Sequence, residues 1–205
     1  MSVFITFEGG EGCGKSVQSR VLYKKLLNLA IPAVLTHEPG GTPFGDKLGH
    51  WLKWSQNTNI SPLTELLLFN ASRSHLVTEV IQPALKDGKV VICDRYADST
   101  TAYQSYGRGL DLEMVKAINH IATQGLKPRL TILLDIPAEE GLARKKDKKP
   151  DRFEQENLAF HRRVREGYFK LAASKPERWL VLDATQSIEK LSNFIWQKVE
   201  QLLSG

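Results

Sequence analysis

Gly9-Gly10-Glu11-Gly12-Cys13-Gly14-Lys15-Ser16 is the stretch that decides the fold. It matches G-x-x-x-x-G-K-[ST] in full. It lies between an apolar, β-branched run at 2–7 (SVFITF) and a helix-like segment over about 15–29. Strand, loop, helix is the context in which this pattern carries chemistry. The glycines allow a tight loop whose backbone N–H groups point inward at phosphate oxygens, and the following helix adds its positive N-terminal end. Lys15 is placed to bridge β- and γ-phosphates, and the Ser16 hydroxyl to hold Mg²⁺. The expected ATP-binding set is Gly9, Gly10, Glu11, Gly12, Cys13, Gly14, Lys15, Ser16 and Val17. A glycine-rich turn that merely precedes Lys-Ser would not explain both flanking elements. The loop fixes phosphate binding but not the reaction, because GTPases, motor ATPases and small-molecule kinases all use it.

Outward from the loop, further strand candidates fall at 33–36 (AVLT), 89–93 (KVVIC), 130–135 (LTILLD) and 178–183 (RWLVLD). The runs at 89–93 and 130–135 are nearly all apolar, as parallel strands covered on both faces should be. Helix-like segments fill the gaps at 45–54, 62–86, 111–124, 138–148, 153–173 and 187–203. Ser61 before Pro62 reads as a helix start, and Gly88 as a stop. Phe153, Phe160, Val164, Tyr168 and Leu171 fall on one helical face. This alternation predicts an α/β fold of the P-loop NTPase type, a five-stranded parallel sheet with helices on both faces, in one domain over 1–205. Ligands in such sheets bind beyond the carboxyl ends of the strands, so chemistry is expected just after positions 7, 36, 93 and 135.

Composition agrees with a packed soluble domain: 41% hydrophobic and 25% charged over 205 residues. The formal charge of +5 suits an anionic ligand, either a polyanion or a nucleotide. No segment approaches the roughly 18 apolar residues of a membrane span, and the N-terminus lacks the features of a signal peptide. Two cysteines, Cys13 and Cys93, read as free thiols in a reducing, cytoplasmic setting. Cys13, at a helix N-terminus, could be a reactive thiolate that ATP protects; the blander reading is an inert small side chain.

The residues expected after the strands point to an acceptor. Asp94-Arg95-Tyr96 follows 89–93. Asp94 resembles a carboxylate that orients Mg²⁺, and a guanidinium beside it calls for an anion, with a monophosphate a natural partner. An internal Arg95–carboxylate pair is the alternative. Glu38-Pro39-Gly40-Gly41-Thr42 after the second strand is a turn signal that counts only in combination. Phe69 and Arg73, four apart on one helix, could stack a base and hydrogen-bond its edge, or could be core and surface. The segment 144–149 holds five basic residues in six positions and could be a solvated helix face, a nucleic-acid patch or a phosphate-covering lid.

In their order and spacing these motifs make the chain resemble the thymidylate kinase family. The resemblance rests on Phe7-Glu8-Gly9 running into the phosphate loop, Glu38 to Thr42, Asp94-Arg95-Tyr96, Ser99-Thr100 with Ala102-Tyr103-Gln104, Gly107-Arg108-Gly109, and Asp151-Arg152-Phe153-Glu154. It implies phosphorylation of dTMP to dTDP with ATP and Mg²⁺. It further implies that Arg95 holds the dTMP phosphate, Phe69 stacks on thymine, Arg73 contacts its O4 edge and Thr100 faces N3. Tyr103 would sit beneath the sugar and exclude a 2′-OH, and Glu11 would accept the 3′-OH. Glu38, Pro39 and Gln104 belong to the same implied substrate site, and Glu8 would lie near the metal with Ser16 and Asp94. Because Glu11-Gly12-Cys13 contains no arginine, the resemblance implies a lid, at about 138–152, that supplies the catalytic cations, with Arg144 and Arg152 expected to act beside Lys15 and Arg95. Arg144 and Lys148, four apart on a helix, are both expected to face the ATP phosphates. His37 departs from the family, which usually has arginine there. A homodimer, with no nucleic-acid or membrane partner, is also implied. The alternatives are a kinase for another nucleotide or deoxynucleoside and, less well matched, a nucleotide-switched DNA-associated ATPase.

Overall fold

The computed structural model describes residues 2–55, 59–145 and 149–204. In chain order the elements are β1 (Val3–Glu8), α1 (Lys15–Asn28), β2 (Ala33–His37), α2 (Pro43–Trp54) and α3 (Pro62–Leu76). A π-helical turn at Val77–Ile81 carries α3 into α4 (Gln82–Lys86). Then come β3 (Val90–Asp94), α5 (Ala97–Thr100) with a π-helical continuation at Thr101–Gly107, α6 (Leu112–Thr123) and β4 (Leu130–Asp135). The chain ends with α7 (Ala138–Ala143), α8 (Leu158–Ser174), β5 (Trp179–Asp183) and α9 (Ile188–Ser204).

All strand pairings are parallel, in the order β2-β3-β1-β4-β5, with Ile5 opposite both Ile92 and Leu130. Side chains of a strand alternate between faces. Ile5, Phe7, Val90, Ile92, Ile132 and Leu134 therefore face Leu22 and Leu26 of α1 and Ile195 and Val199 of α9. Phe4, Val91 and Cys93 face Leu76, Ile81 and Ala84 on the other side. Leu133, also on that side, meets Phe160, Val164 and Tyr168 of α8. Each fully buried aliphatic or aromatic side chain contributes about 1.5–3 kcal/mol, so the double-sided core holds the carboxyl ends of β1, β2, β3 and β4 in one line. The active-site loops rise from that line.

Three segments differ from the sequence expectation. Residues 97–107 are helical, although Ser99, Thr100, Thr101 and Tyr103 are weak helix formers; packing against α8 and side-chain bonds from Glu8 and Arg95 to Ser99 hold them. The helix expected over 138–148 stops at Ala143, and Lys148 lies outside the described residues. The helix expected from 153 begins at Leu158, where the Asn157 side chain accepts from the Phe160 amide at 2.9 Å. Before it, the Asp151 carboxylate accepts from the amides of Phe153 and Glu154 and holds a turn. Phe153 reaches the α8 cluster from that turn, not from the helix.

Candidate active site

The phosphate loop connects β1 to α1, and its conformation depends on glycine. Gly12 has φ +67°, and a Cβ there would come within 2.0 Å of the Gly141 carbonyl oxygen. The loop is thus seated backbone to backbone on α7, the first element of the expected lid. Lys15 Nζ donates to the carbonyls of Gly9 at 3.1 Å and Gly10 at 2.6 Å. Gly14 opens α1 without a side-chain cap, so no side chain competes for the helix's positive end. The Ser16 hydroxyl donates to the Asp94 carboxylate. Cys13 is 2% exposed and packs in the core, with its Sγ accepting from Lys15 at 3.3 Å. That burial favours the inert-side-chain reading of Cys13 over the reactive one.

Arg95 stands across the loop from Lys15, after β3. Its φ of +71° is costly for a non-glycine residue. It is fixed by its own amide on the Phe7 carbonyl (2.9 Å) and by the Tyr96 amide on Glu8 Oε1 (2.8 Å). The guanidinium donates to Gly9 O (3.1 Å), Ser99 Oγ (3.1 Å), Glu11 Oε1 (2.8 Å) and Tyr103 OH (3.2 Å). The pair with Glu11 is the internal-carboxylate alternative raised above, yet it does not bury Arg95 away from ligand, since Arg95 and Glu11 both line the cleft. Arg95 and Lys15 meet on one atom, the Gly9 carbonyl oxygen. Glu11 also accepts from Tyr103 OH (2.7 Å) and Lys145 (3.2 Å). Although burial opposes ionisation, Arg95, Lys15 and Lys145 hold the Glu11 carboxyl well below the usual range. Burial, with the Glu11 carboxylate beside it, pushes the Tyr103 hydroxyl up against the opposing charge of Arg95, so it remains a phenol.

Arg73 is not surface but among the most buried side chains of the chain, at 1% exposure. All five of its N–H groups are taken: Nε and one NH2 hydrogen by Glu38 Oε2 (2.8 and 2.6 Å), the others by Asn70 (3.2 Å), Asn119 (3.0 Å) and Thr100 Oγ1 (2.7 Å). A direct hydrogen bond from Arg73 to a base therefore requires exchange of a protein partner. Among the described residues, Glu38 Oε1 and, in the same cleft wall, Thr36 Oγ1 are buried without partners, and burial raises the Glu38 carboxyl. Phe69 borders the cleft and leans on Phe153 with ring centres 5.6 Å apart. Gln104 is anchored on Glu65 at 2.8 Å. His37 is exposed, 3.7 Å from Asp46.

Two expected site residues are placed elsewhere. Glu8 is fully buried: Oε1 accepts from the Tyr96 amide, and Oε2 from Ser99 (2.5 Å) and Tyr168 (3.0 Å). Burial, reinforced by Asp98, pushes it up to about 7. It braces the segment that carries Arg95 and does not line the cleft. Arg152 does not reach the phosphate loop. Its guanidinium lies on Glu65 (2.5 Å) and the Leu52 carbonyl (3.0 Å), because the turn at Asp151 points it toward α2 and α3. Arg144 does line the cleft, with one N–H on the Ala184 carbonyl at 3.2 Å. Lys145 beside it, which sequence reasoning placed only within a basic run, bridges Glu11 and Glu154. Lys53, Asp151 and Phe153 also line the cleft; an isolated lysine on an amphipathic helix gives no sequence signal.

These groups surround a cleft of about 860 Å³ that runs from the phosphate loop to Phe69, a size suited to bound small molecules. Among the described residues no group of three or more His, Cys, Asp or Glu side chains is arranged to hold a metal. The Ser16–Asp94 pair suits Mg²⁺ nonetheless, because that ion takes one or two protein oxygens and keeps waters or phosphate oxygens for the rest.

A family model described as thymidylate kinase matches residues 7–195. A thymidylate kinase of Dehalococcoides mccartyi is 60% identical over 203 residues, covering 99% of this chain and 98% of the relative. One from Roseiflexus castenholzii is 49% identical over 219 residues, covering 100% and 96%. A crystal structure of thymidylate kinase from Ehrlichia chaffeensis superposes with a TM-score of 0.77 at 32% identity, covering 98% of both chains.

Proposed function

The chain belongs to the thymidylate kinase family, and from that premise we propose that it is an ATP-dependent kinase that converts dTMP to dTDP. The observation that carries the reading is the convergence of Lys15 and Arg95 on the Gly9 carbonyl. A donor cation and an acceptor cation that share one oxygen place γ-phosphate and acceptor phosphate side by side. Phosphoryl transfer gains most of its rate from such alignment and from charge neutralisation.

In this reading the loop amides and Lys15 hold the triphosphate. Arg95 holds the dTMP phosphate, whose oxygen is already ionised and needs no strong base. Glu11, kept as carboxylate, orients Arg95 and accepts the sugar 3′-OH. Tyr103 lies under the sugar, where it leaves no room for a ribose 2′-OH. Phe69 and Phe153 border the base, Thr100 faces its edge, and Arg73 positions Thr100 and Glu38. Ser16 and Asp94 would hold Mg²⁺, which supplies positive charge to the β- and γ-phosphate oxygens. Arg144, with Lys145, is the lid cation for the transferring group. A single domain with a lid over about 138–152 is part of the proposal. So is a homodimer, supported by Leu63 and Leu67 of α3 and Ile121 of α6, which are apolar yet exposed. No described helix is long and apolar enough to cross a membrane, which supports the cytoplasmic location proposed with it.

The test is an acceptor panel of dTMP, dUMP, dCMP, dGMP and UMP with ATP and Mg²⁺, read as diphosphate product. dTMP should give the highest kcat/KM, with UMP rejected. Preference for another acceptor would reassign the substrate. ATP hydrolysis stimulated by DNA without phosphorylated acceptor would refute the kinase reading.

A further inference from the structure

Lys53 sits in the last turn of α2 and lines the same cleft as Arg95 and Phe69. Every other half-buried or buried cation of the wall rests on protein oxygen. Lys15 has the loop carbonyls, Arg73 its five acceptors, Arg95 and Lys145 the Glu11 carboxylate. Among the described residues, the Lys53 ammonium has no hydrogen-bond or ion-pair partner. Burial and the charge of Arg95 disfavour its ammonium form, Lys145 adds to this, and Asp151 and Glu11 act from a distance to favour it. An ammonium kept out of water and near two other cations is stabilised when an anion arrives.

We propose that Lys53 is a further binding residue for the acceptor's phosphate monoester, meeting from α2 the same anion that Arg95 holds from the sheet. This rests on the reading that the acceptor is a nucleoside monophosphate. The place of α2 chooses the acceptor over ATP: α2 follows β2, on the β3 side of the sheet, whereas Arg144 and Ala184 bound the cleft beyond β1 and β4. Arg95 is also the charge that acts most strongly on Lys53. The turn that carries it is pinned, with the Arg152 amide on the Lys53 carbonyl (3.1 Å) and Arg152 Nε on that of Leu52 (3.0 Å). Arg152 is itself clamped by Glu65. The long side chain is then the flexible part, free to follow a phosphate.

Calorimetric binding of dTMP and of thymidine separates this from a structural role, because only dTMP carries the phosphate. Lys53→Met should weaken dTMP about tenfold or more, the loss of a hydrogen bond to a charged group, while thymidine binding and KM for ATP stay within about twofold. Lys53→Arg should restore most of the dTMP affinity. Equal weakening of dTMP and thymidine, or an unchanged dTMP/thymidine ratio in Lys53→Met, would overturn the inference alone, provided the parent makes dTDP. A parent that makes no dTDP and binds dTMP no better than thymidine would overturn the functional reading and this inference with it.

Discussion

Replacing Arg73 with methionine removes the charge and five donors but keeps an unbranched side chain of similar length. The partner left behind is Glu38, whose side chain is 3% exposed and whose Oε1 already lacks a hydrogen bond. Taking one member from a buried ion pair costs about 3–5 kcal/mol, since the other charge remains without compensation. At about 2–4 °C per kcal/mol for a chain of this size, the melting temperature should fall by roughly 6–20 °C. The sign with pH follows from Glu38. Burial raises its folded-state proton affinity above the unfolded value, so the penalty is full at alkaline pH. It shrinks as acid lets the folded protein take up a proton. Arg73→Met/Glu38→Gln removes the stranded charge and should recover more than about 1 kcal/mol relative to additivity. Urea unfolding of parent, both single variants and the double variant at pH 6 and 8 measures each term. An Arg73→Met protein within about 1 kcal/mol of parent at pH 8, or one whose loss is identical at both pH values, would refute the reasoning.

The lid arginines separate on kinetics. Arg144→Ala should lower kcat by at least about a hundredfold with little change in KM for ATP, whereas Arg152→Ala should cost less than about tenfold in kcat and show mainly as lost stability. The reverse order in steady-state assays would return Arg152 to the transferring phosphate. Glu8 gives a pH signature. Its carboxyl is raised from 4.5 to about 7, so the folded state binds this proton more tightly, and stability falls as pH rises through that window. At 1.36 kcal/mol per pH unit the loss reaches at most about 3.4 kcal/mol. Glu8→Gln should flatten unfolding free energy between pH 5 and 8 relative to the parent, and parallel curves would contradict this.

What could be read in advance was contiguous. Gly9 to Ser16 is one uninterrupted pattern between a strand and a helix, and Asp94-Arg95 ends an apolar strand. The sheet therefore followed from alternation alone. What could not be read depended on partners far along the chain. Arg152 is claimed by Glu65, 87 residues away, and Arg73 is saturated by residues from the turn after β2 and from α3, α5 and α6. Neither is visible in local spacing. The helix at 97–107 was hidden because its Ser, Thr and Tyr residues favour other conformations in isolation; only the buried bonds of Ser99 and the packing of Tyr103 make it helical. Lys53 had no motif, and its interest arises from what surrounds it.

The central claim is that one cleft holds both phosphates, donor on the glycine loop and acceptor on Arg95. Its most direct measurement is the affinity of an adenosine and a thymidine joined through their 5′ oxygens by five phosphates. Linking two ligands whose sites adjoin gives an affinity well beyond either alone. The compound should bind at one per chain, at least about a hundredfold more tightly than ATP or dTMP, and exclude both. Binding no tighter than ATP, with dTMP still able to bind at its parent affinity, would contradict it.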